Sequence, residues 1–355
     1  MTSPIIALGI ESSCDECSIS VVEAHSNNIE SLKVLSTATY SQIKIHEPYG
    51  GVVPEIASRN HLETLHPMLN KAMNEAKIQY SDIDVIATTN RPGLVGSLLV
   101  GVTAGKSLAY ALNKPLIPVH HLEGHILSLW LDQSFEQKPE FPMLIAVISG
   151  GHTNLYLSTT PPHQWDEKFL KNQLIGSSID DAAGEAFDKT AKLLGFPYPG
   201  GIWIDQTAQN GDPNKYSFPR ALPQKNHLNY SFSGLKTAVH QTLKKMNSDE
   251  IDRELPHLCA SIQEAIIEAV WKKMKLGLEK NHCRSLGIVG GVAANSRLRS
   301  LLAQECKVPI YFPKKEYCTD NAAMIAAAGL NRYFQGYRLS KEESLTLNAV
   351  ASPEY

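Results

Sequence analysis

The sequence lacks the features of a membrane-bound or exported protein. No stretch approaches the roughly 18 consecutive uncharged apolar residues that a membrane-spanning helix needs. The apolar start PIIALGI is preceded by no positive charge, because the first lysine or arginine is Lys33, and it therefore lacks the pattern of a secretory signal peptide. We expect a cytoplasmic protein with no membrane partner.

Cysteine and net charge are also scarce. The six cysteines are scattered over 355 residues, which excludes a disulfide-framework protein. Cys14 and Cys17 form one CxxC, without the second CxxC that a zinc knuckle requires. The net charge of −3 argues against non-specific coating of nucleic acid, although local basic patches remain compatible with it.

The common nucleotide-binding signatures GxGxxG and GxxxxGK[ST] do not occur. Two other glycine turns are present, in ISGGHTN and in LGIVGGVAANSRLRSLL. Gly150 and Gly151 let a ligand approach the backbone closely, and the Ser149 and Thr153 hydroxyls beside them could bind phosphate oxygens. The second turn leads into a helix with Asn295 at its predicted N-cap, where unpaired amides favour an anion. A Gly-Gly hairpin turn that binds nothing is the alternative for the first turn.

Apolar β-branched runs alternate with helical patterns along the chain, which predicts an α/β layer fold. Strands are predicted in IIALGIE, SISVVEA, VLSTATYS and IDVIATT, and helices near 55–77 and 97–112. After a linker-like stretch at 131–142, the strand, turn and strand of the N-terminus recur in MLIAVISGGHTNLYLS. The repetition predicts two similar domains whose turns face a shared cleft, a common place for a ligand.

The segment VHHLEGHI places His121 and His125 four residues apart in a predicted helix. This spacing puts both imidazoles on one face, at a separation that suits one divalent ion. Asp320, in YCTDNAAMIAAAG, is a candidate third ligand, whereas Glu123 points elsewhere. Chance spacing of the two histidines and a helix-capping role for Asp320 remain open alternatives.

The predicted helix in SSIDDAAGEAFDKTAKLLG carries an unusual number of carboxylates. Asp180 and Asp181 lie where a helix begins, and we interpret them as cap and dipole partners of that helix. Asp188 lies inside the helix, one turn beyond Glu185 and near small residues that would let another group come close.

Taken together, nine ordered motifs closely resemble the TsaD family, the tRNA threonylcarbamoyladenosine synthases formerly named O-sialoglycoprotein endopeptidases. The motifs are GIESSCDE, YGGVVPEIASRNH, PGLVGSLLVG, HHLEGH, SGGHT, IDDAAGEAFDKTAKLLG, SFSGLKTA, GGVAAN and CTDNAAM. The resemblance implies the actin-like, sugar-kinase and Hsp70-ATPase (ASKHA) fold, with two duplicated α/β domains and a nucleotide in the cleft between them. We expect the first domain at 1–140, completed by a helix near 320–335, the second at 141–319, and a tail at 336–355.

The resemblance also implies an activity. The family transfers the threonylcarbamoyl group from threonylcarbamoyl-adenylate to the exocyclic amine of the adenosine at tRNA position 37, just 3′ of the anticodon, in tRNAs reading ANN codons. AMP is released. An ATPase or sugar kinase on the same fold is the alternative, although neither needs the paired HxxxH and CTDN motifs. A metalloprotease should have HExxH, whereas Leu122 follows His121 here.

The family pattern assigns site residues to this sequence. It implies that one divalent metal, iron as the first choice and zinc as the alternative, is held by His121, His125 and Asp320. The implied adenylate contacts, which ATP, ADP or AMP could also occupy, are Val147, Ile148, Ser149, Gly150, Gly151, Asp188, Gly201, Asp205 and Asn295. Glu11, at the end of the first predicted strand, is a candidate catalytic residue that positions or deprotonates the amine; a turn-capping carboxylate is the equal alternative.

The implied partners are tRNA, an upstream threonylcarbamoyl-adenylate synthase, and bacterial-type accessory subunits, namely a paralogous inactive TsaD-like protein and a small P-loop ATPase. Between residues 214 and 245 there are six basic and no acidic residues, interleaved with Tyr216, Phe218, Tyr230 and Phe232. The basic residues are Lys215, Arg220, Lys225, Lys236, Lys244 and Lys245. This stretch could bind phosphates and stack a base, or it could be a solvated face with aromatics packed beneath.

Arg91 is the main departure from the family pattern, because it stands where relatives have the first glycine of Gly-Pro-Gly. A backbone with positive φ would be strained at this residue. We expect either a different loop conformation or an added positive contact to RNA.

Overall fold

The computed structural model describes residues 3–25, 29–166, 169–220, 222 and 227–352. The chain divides into two compact units. Unit 1 consists of Met1–Lys138, Thr160–Asn172 and Pro313–Tyr355, and unit 2 of Pro139–Thr159 and Gln173–Phe312. Three separate stretches of sequence therefore build unit 1.

Unit 1 contains a five-stranded mixed sheet. Its strands are β1 (Ile5–Glu11), β2 (Glu16–Ala24), β3 (Lys33–Ser41), β4 (Val85–Arg91) and β5 (Leu116–His120), in the order β3-β2-β1-β4-β5. The first three strands are antiparallel neighbours, whereas β4 and β5 run parallel to β1. All four strands predicted from the sequence in this half are confirmed.

Unit 2 repeats this topology. Its strands are β6 (Met143–Ile148), β7 (Thr153–Ser158), β8 (Leu174–Ser177), β9 (Ser285–Val289) and β10 (Ile310–Tyr311). The sheet order is β10-β9-β6-β7-β8, so the first strand of the unit again lies between the second and the fourth. The antiparallel pairs β6–β7 and β7–β8 and the parallel pairs β6–β9 and β9–β10 match those of unit 1. This duplication confirms the predicted α/β fold with two actin-like sheets.

Twelve α-helices lie in the described part of the chain. They are α1 (Ile43–His46), α2 (Pro54–Ala76), α3 (Val95–Leu112), α4 (His121–Leu127), α5 (Phe169–Asn172), α6 (Ala183–Leu193), α7 (Gly200–Ala208), α8 (Ser233–Leu243), α9 (Ser248–Lys280), α10 (Ser296–Glu305), α11 (Ala322–Phe334) and α12 (Lys341–Thr346). The short α12 lies in the C-terminal segment, for which the sequence predicted no regular element.

Alternation along β1 places different partners on the two faces of the unit 1 sheet. Leu8 and Ile10 belong to an apolar cluster that includes Leu65 and Leu69 of α2. Gly9, which points the other way, is so close to α11 that an added Cβ would lie 2.2 Å from the Ala322 carbonyl oxygen. The lack of a side chain at Gly9 therefore lets α11 pack directly on the strand.

Helix α3 is long and apolar enough, by length and composition alone, to cross a membrane, and 33% of this stretch is buried. It contacts α2 and β4 within unit 1. Helices that cover one face of a sheet in an α/β layer often have such a composition.

Candidate functional site

The histidine pair lies on α4, which follows β5 without an intervening loop. The three histidines of the HHLEGH motif do not share one role. His120 is the N-cap of α4, and its side chain accepts a hydrogen bond from the Leu122 N–H. His121 and His125 then point from one face of the helix, with ring centroids 4.7 Å apart and the rings nearly perpendicular. Every residue of α4 is buried, so the local helix places both imidazoles in a protected position.

Asp320 lies within reach of both histidines. Its Oδ1 is 3.1 Å from Nε2 of His125 and 3.5 Å from Nε2 of His121. The three residues offer ligand atoms that all lie within 4.8 Å of one another. The cap of α11 is Asn321, whose side chain accepts from the Met324 N–H, so the Asp320 carboxylate is not the N-cap of this helix.

The donor set fits a divalent transition metal. Two imidazole nitrogens and one carboxylate oxygen are ligands that suit iron or zinc, and a three-residue set leaves coordination positions for other groups. Neither ring nitrogen of the buried His125 makes a hydrogen bond of acceptable geometry with a described residue, although Nε2 lies close to Asp320. A buried imidazole is rarely left in this state, and an ion between the three side chains would satisfy its Nε2.

Glu11 supports His121 from the opposite side of the ring. Nδ1 of His121 donates to Oε2 of Glu11 at 3.1 Å, and the same carboxylate accepts from the Ser13 N–H and the Thr89 hydroxyl, both at 2.6 Å. A carboxylate that accepts from Nδ1 directs Nε2 toward the candidate metal position and orients the ring. Sequence reasoning missed Ser13 and Thr89: Ser13 acts on Glu11 through its backbone N–H, which almost any residue could supply, and only the Thr89 hydroxyl, near the end of β4, was a chemical signal.

Electrostatics follow from this burial and pairing. Burial raises the pKa of Glu11, but the nearby His121 and the hydrogen bond from Ser13 outweigh burial and hold it below its ordinary value. Burial lowers the pKa of His121, while Asp320 and Glu11 together raise it to about 9. Glu11 is therefore ionised at neutral pH and is a strong acceptor for the imidazole N–H.

The predicted adenylate contacts lie in unit 2. Several of them lie at the carboxyl end of the central strand β6. Val147 and Ile148 end β6, and their side chains are fully buried, so only their backbone is available to a ligand. The turn that follows contains the exposed Gly150 and Gly151, where an added Cβ would meet no atom within 4 Å. The Gly-Gly turn after the parallel neighbour β9 lies beside it, since a Cβ on Gly290 would be 2.5 Å from the Ile148 carbonyl oxygen.

Several of these residues already have partners within unit 2. The Ser149 hydroxyl accepts from the His152 N–H, and the Thr153 hydroxyl accepts from the Ala183 N–H at the start of α6. The Asp188 carboxylate accepts from the Gly200 N–H, next to Gly201 on α7.

Asp205 and Asn295 each form hydrogen bonds at the beginning of α10. The Asp205 carboxylate accepts from the N–H and the hydroxyl of Ser296. Asn295 is the N-cap predicted from the sequence: its side-chain oxygen accepts from the Leu298 N–H, and its amide donates to Gln263. The structure therefore places Asp205 in contact with Ser296, the next residue after Asn295, although Asp205 is distant from both in sequence.

The interpretation of Asp180 and Asp181 as caps of α6 is wrong. Helix α6 begins at Ala183, and Glu185 caps its first turn by accepting from the Ala182 N–H. Asp180 instead accepts from the Phe232 N–H and from the hydroxyls of Ser231 and Ser233 at the start of α8. Asp181 forms an ion pair with Lys189.

The basic stretch is only partly available for a polyanion. Phe218, Tyr230 and Phe232 are buried, which favours the alternative in which aromatics pack beneath a solvated face. Lys215 pairs with Glu254 and Arg220 with Glu268, while Lys236, Lys244 and Lys245 are exposed along α8 and its end. Lys225 lies outside the described residues. Arg91, for which strain was considered, is the last residue of β4 and does not have a positive φ.

Comparison with known proteins identifies the family. The family model for TsaD, tRNA N6-adenosine threonylcarbamoyltransferase, matches residues 33–327. The chain belongs to the TsaD family. A tRNA N6-adenosine threonylcarbamoyltransferase of Syntrophus aciditrophicus (strain SB) is 45% identical over 350 residues, which cover 98% of this chain and 97% of that protein. Membership supports transferase activity, with tRNA as the substrate.

Solved structures support the fold. HypF of T. kodakarensis matches with a TM-score of 0.56 and 14% identity over 97% of this chain and 50% of that one. Component A of the Acidaminococcus fermentans (R)-2-hydroxyglutaryl-CoA dehydratase matches with a TM-score of 0.50 and 13% identity, covering 93% and 99% of the two chains. At these identities the likeness concerns the fold alone, which agrees with the ASKHA architecture.

Proposed function

We propose that this TsaD-family chain transfers a threonylcarbamoyl group from threonylcarbamoyl-adenylate to the exocyclic amine of adenosine 3′ of the anticodon in tRNAs reading ANN codons, releasing AMP. The observation that carries the proposal is the convergence of His121, His125 and Asp320, whose ligand atoms lie within 4.8 Å of one another. Such a centre answers a chemical need, because an aromatic exocyclic amine is a weak nucleophile and the acyl carbon must be activated.

The two histidines and Asp320 would hold one divalent ion, with iron as the first expectation and zinc as the alternative. The ion would supply Lewis-acid polarisation of the carbamoyl oxygen. Glu11, which accepts from Nδ1 of His121 at 3.1 Å, would fix the orientation of this ligand. We therefore assign Glu11 a positioning role in place of the direct action on the amine considered from the sequence.

The adenylate would bind in unit 2 beside the two glycine turns that follow strands β6 and β9. Exposed backbone at Gly150 and Gly151 suits close approach by a phosphate, and N–H groups there would stabilise the negative charge that develops as AMP departs. The proposed contacts are Val147, Ile148, Ser149, Gly150, Gly151, Asp188, Gly201, Asp205 and Asn295. ATP, ADP or AMP would occupy the same position.

The tRNA would be held partly by exposed lysines of α8 and its end, where Lys236, Lys244 and Lys245 are available to phosphates. Because this basic patch is small, we propose that accessory proteins supply some of the contacts that bind the tRNA. We propose bacterial-type partners, namely a paralogous TsaD-like protein and a small P-loop ATPase, together with an upstream adenylate synthase, in the cytoplasm.

Reconstitution tests the activity. The chain is combined with threonine, bicarbonate, ATP, an adenylate-forming partner and unmodified tRNA, with and without candidate accessory proteins, and threonylcarbamoyladenosine is measured in the digested tRNA. Modified nucleoside that depends on the chain is expected. Hydrolysis of ATP by the chain alone, with no modified nucleoside in the complete mixture, would instead favour an ATPase.

A double variant tests the metal. His121→Ala with His125→Ala should lose bound metal and transfer while remaining folded, as judged by circular dichroism. The matched control, His163→Ala with His66→Ala, removes two exposed imidazoles outside the cluster and should retain metal and transfer. Retained transfer in the first variant would remove the ion from the mechanism.

A further inference from the structure

The candidate ligands belong to two helices that have to be held together. His121 and His125 lie on α4, and Asp320 immediately precedes α11. The His125 ring has no hydrogen bond of acceptable geometry to a described residue, so its position depends on the backbone of α4. Whatever fixes α4 against α11 therefore fixes the distance between the imidazoles and the carboxylate.

A buried ion pair joins the same two helices away from the ligands. Glu123 lies two residues from each histidine and so leaves α4 on a different side. Nε of Arg332, in the last turns of α11, donates to both Glu123 carboxylate oxygens at 3.0 Å, and Nη2 donates to Oε2 as well. The Glu123 side chain is only 9% exposed and the Arg332 side chain 13%.

Arg332 also holds the strand that leads into α4. Its Nη1 donates to the Pro118 carbonyl oxygen of β5 at 3.2 Å. One guanidinium thus contacts both α4 and the strand before it, and its rigid fork fixes direction as well as distance. Lysine could supply the charge at this position but not the paired geometry.

The helices touch between these two ends with little room for movement. An added Cβ on Gly124 would lie 2.7 Å from Cδ1 of Ile325 and 3.2 Å from Cγ of Met324. Packing at Gly124 sets how closely α4 approaches α11, but it does not by itself prevent rotation or sliding. A bidentate ion pair away from the ligands would resist both.

We propose that the Glu123–Arg332 pair is a positioning device that aligns the His121/His125 face of α4 with Asp320 of the proposed metal centre. The inference rests on the metal-dependent transfer proposed above. A buried pair is seldom a net source of stability, because desolvation of both charges offsets their attraction, whereas its geometry is specific. On this view the pair determines metal affinity more than it determines the folding of the chain.

Glu123→Gln in the full-length protein tests this inference, with Co²⁺ as the probe and its visible absorption as the readout. We expect the Co²⁺ dissociation constant to rise about tenfold or more, as it does when other residues that orient metal ligands are replaced. The matched control is Glu264→Gln in unit 2, where Glu264 forms a bidentate pair with Arg297 and is also buried. Both variants should lose thermal stability, but the control should keep wild-type Co²⁺ affinity.

Two further variants separate geometry from folding. Glu123→Leu with Arg332→Met removes both charges and avoids an uncompensated buried charge, so it should recover stability but not affinity. Arg332→Lys keeps the charge without the fork and should give an intermediate affinity. At saturating metal, transfer by Glu123→Gln should return toward the wild-type kcat, because the variant then holds its ion.

Wild-type Co²⁺ affinity in Glu123→Gln, or in the double variant, would overturn the positioning role and leave the proposed function intact. An equal loss of affinity in Glu264→Gln would likewise overturn it, since affinity would then only follow stability. If the wild-type protein bound no divalent metal, the metal proposal itself would fail, together with this inference.

Discussion

The contact between Gly9 and α11 gives a sharp test of how the fold positions the candidate ligands. Gly9→Ala would place a Cβ 2.2 Å from the Ala322 carbonyl oxygen and 2.9 Å from the Ala326 nitrogen. Carbon and oxygen atoms rarely approach closer than about 3.3 Å, so the first turn of α11 would have to retreat by about 1 Å. Both nearest obstacles are backbone atoms, which no rotamer change can relieve.

The expected cost has two parts. Overpacking of a well-filled core destabilises by about 1–3 kcal/mol, which chemical unfolding can measure. Because Asp320 immediately precedes α11, the same retreat should separate its carboxylate from His121 and His125. We expect divalent-metal affinity, measured by Co²⁺ titration, to fall by about tenfold or more, beyond what partial unfolding explains.

Two glycines of unit 2 serve as controls. Gly211→Ala creates an equally severe clash, with Cβ 2.0 Å from the Pro256 carbonyl oxygen, and should destabilise without changing metal affinity. Gly234→Ala lies in α8 with no atom within 4 Å of the new Cβ, and helix propensity should make it stabilising by up to about 1 kcal/mol. Unchanged metal affinity in Gly9→Ala, or an equal loss in Gly211→Ala, would refute the reasoning.

Three other predictions concern single interactions. Glu11→Gln should weaken metal binding by about 10- to 100-fold if Glu11 acts through His121, whereas intact metal binding with abolished transfer would instead indicate direct action on the amine. Lys244→Gln with Lys245→Gln should weaken the binding of every tRNA, whatever its sequence. The slope of log affinity against log salt concentration should fall by about 1 for each lysine–phosphate pair removed, and an unchanged slope would exclude both lysines from the interface. Burial raises the pKa of Asp180, but hydrogen bonds from Ser231, Phe232 and Ser233 outweigh it and hold that pKa below its ordinary value of 3.8, so the ionised form contributes stability above this pH that is lost as pH falls through the folded pKa. The stability difference between wild type and Asp180→Asn, measured by urea unfolding, should therefore shrink below pH 3.8, and a constant difference would contradict this account.

Local patterns in the sequence were sufficient for the elements of the fold and for part of the site. The strand, turn and strand repetition predicted the duplicated sheets, and the i, i+4 spacing predicted the shared face of His121 and His125, because both features depend on neighbouring residues. The N-cap at Asn295 was found for the same reason.

Interactions between residues distant in sequence were the ones that local patterns missed. The sequence predicted Asp180 as the cap of the next helix, α6. Its carboxylate oxygens instead accept hydrogen bonds from residues 51 to 53 positions later, at the start of α8. The Glu123–Arg332 pair spans 209 residues, and a glutamate between two histidines gives no sign of its partner. The aromatic residues of the basic stretch show the same limit, since spacing cannot distinguish a stacking surface from a buried layer.

The duplicated topology explains how two motifs that are distant in sequence contribute to one cluster of candidate ligands. In each unit the fifth strand is followed by a segment that carries candidate ligands: β5 leads directly into α4 with His121 and His125, and β10 leads through residues 312–319 to Asp320 and α11. The second of these segments leaves unit 2 and contributes to unit 1, so the candidate ligand set draws on sequence from both sides of unit 2. Because α11 also covers Gly9 of β1, the step that completes the ligand set is the same step that buries this face of the first sheet. Metal binding should consequently stabilise the docking of α11 and be coupled to the folding of unit 1 more strongly than to that of unit 2.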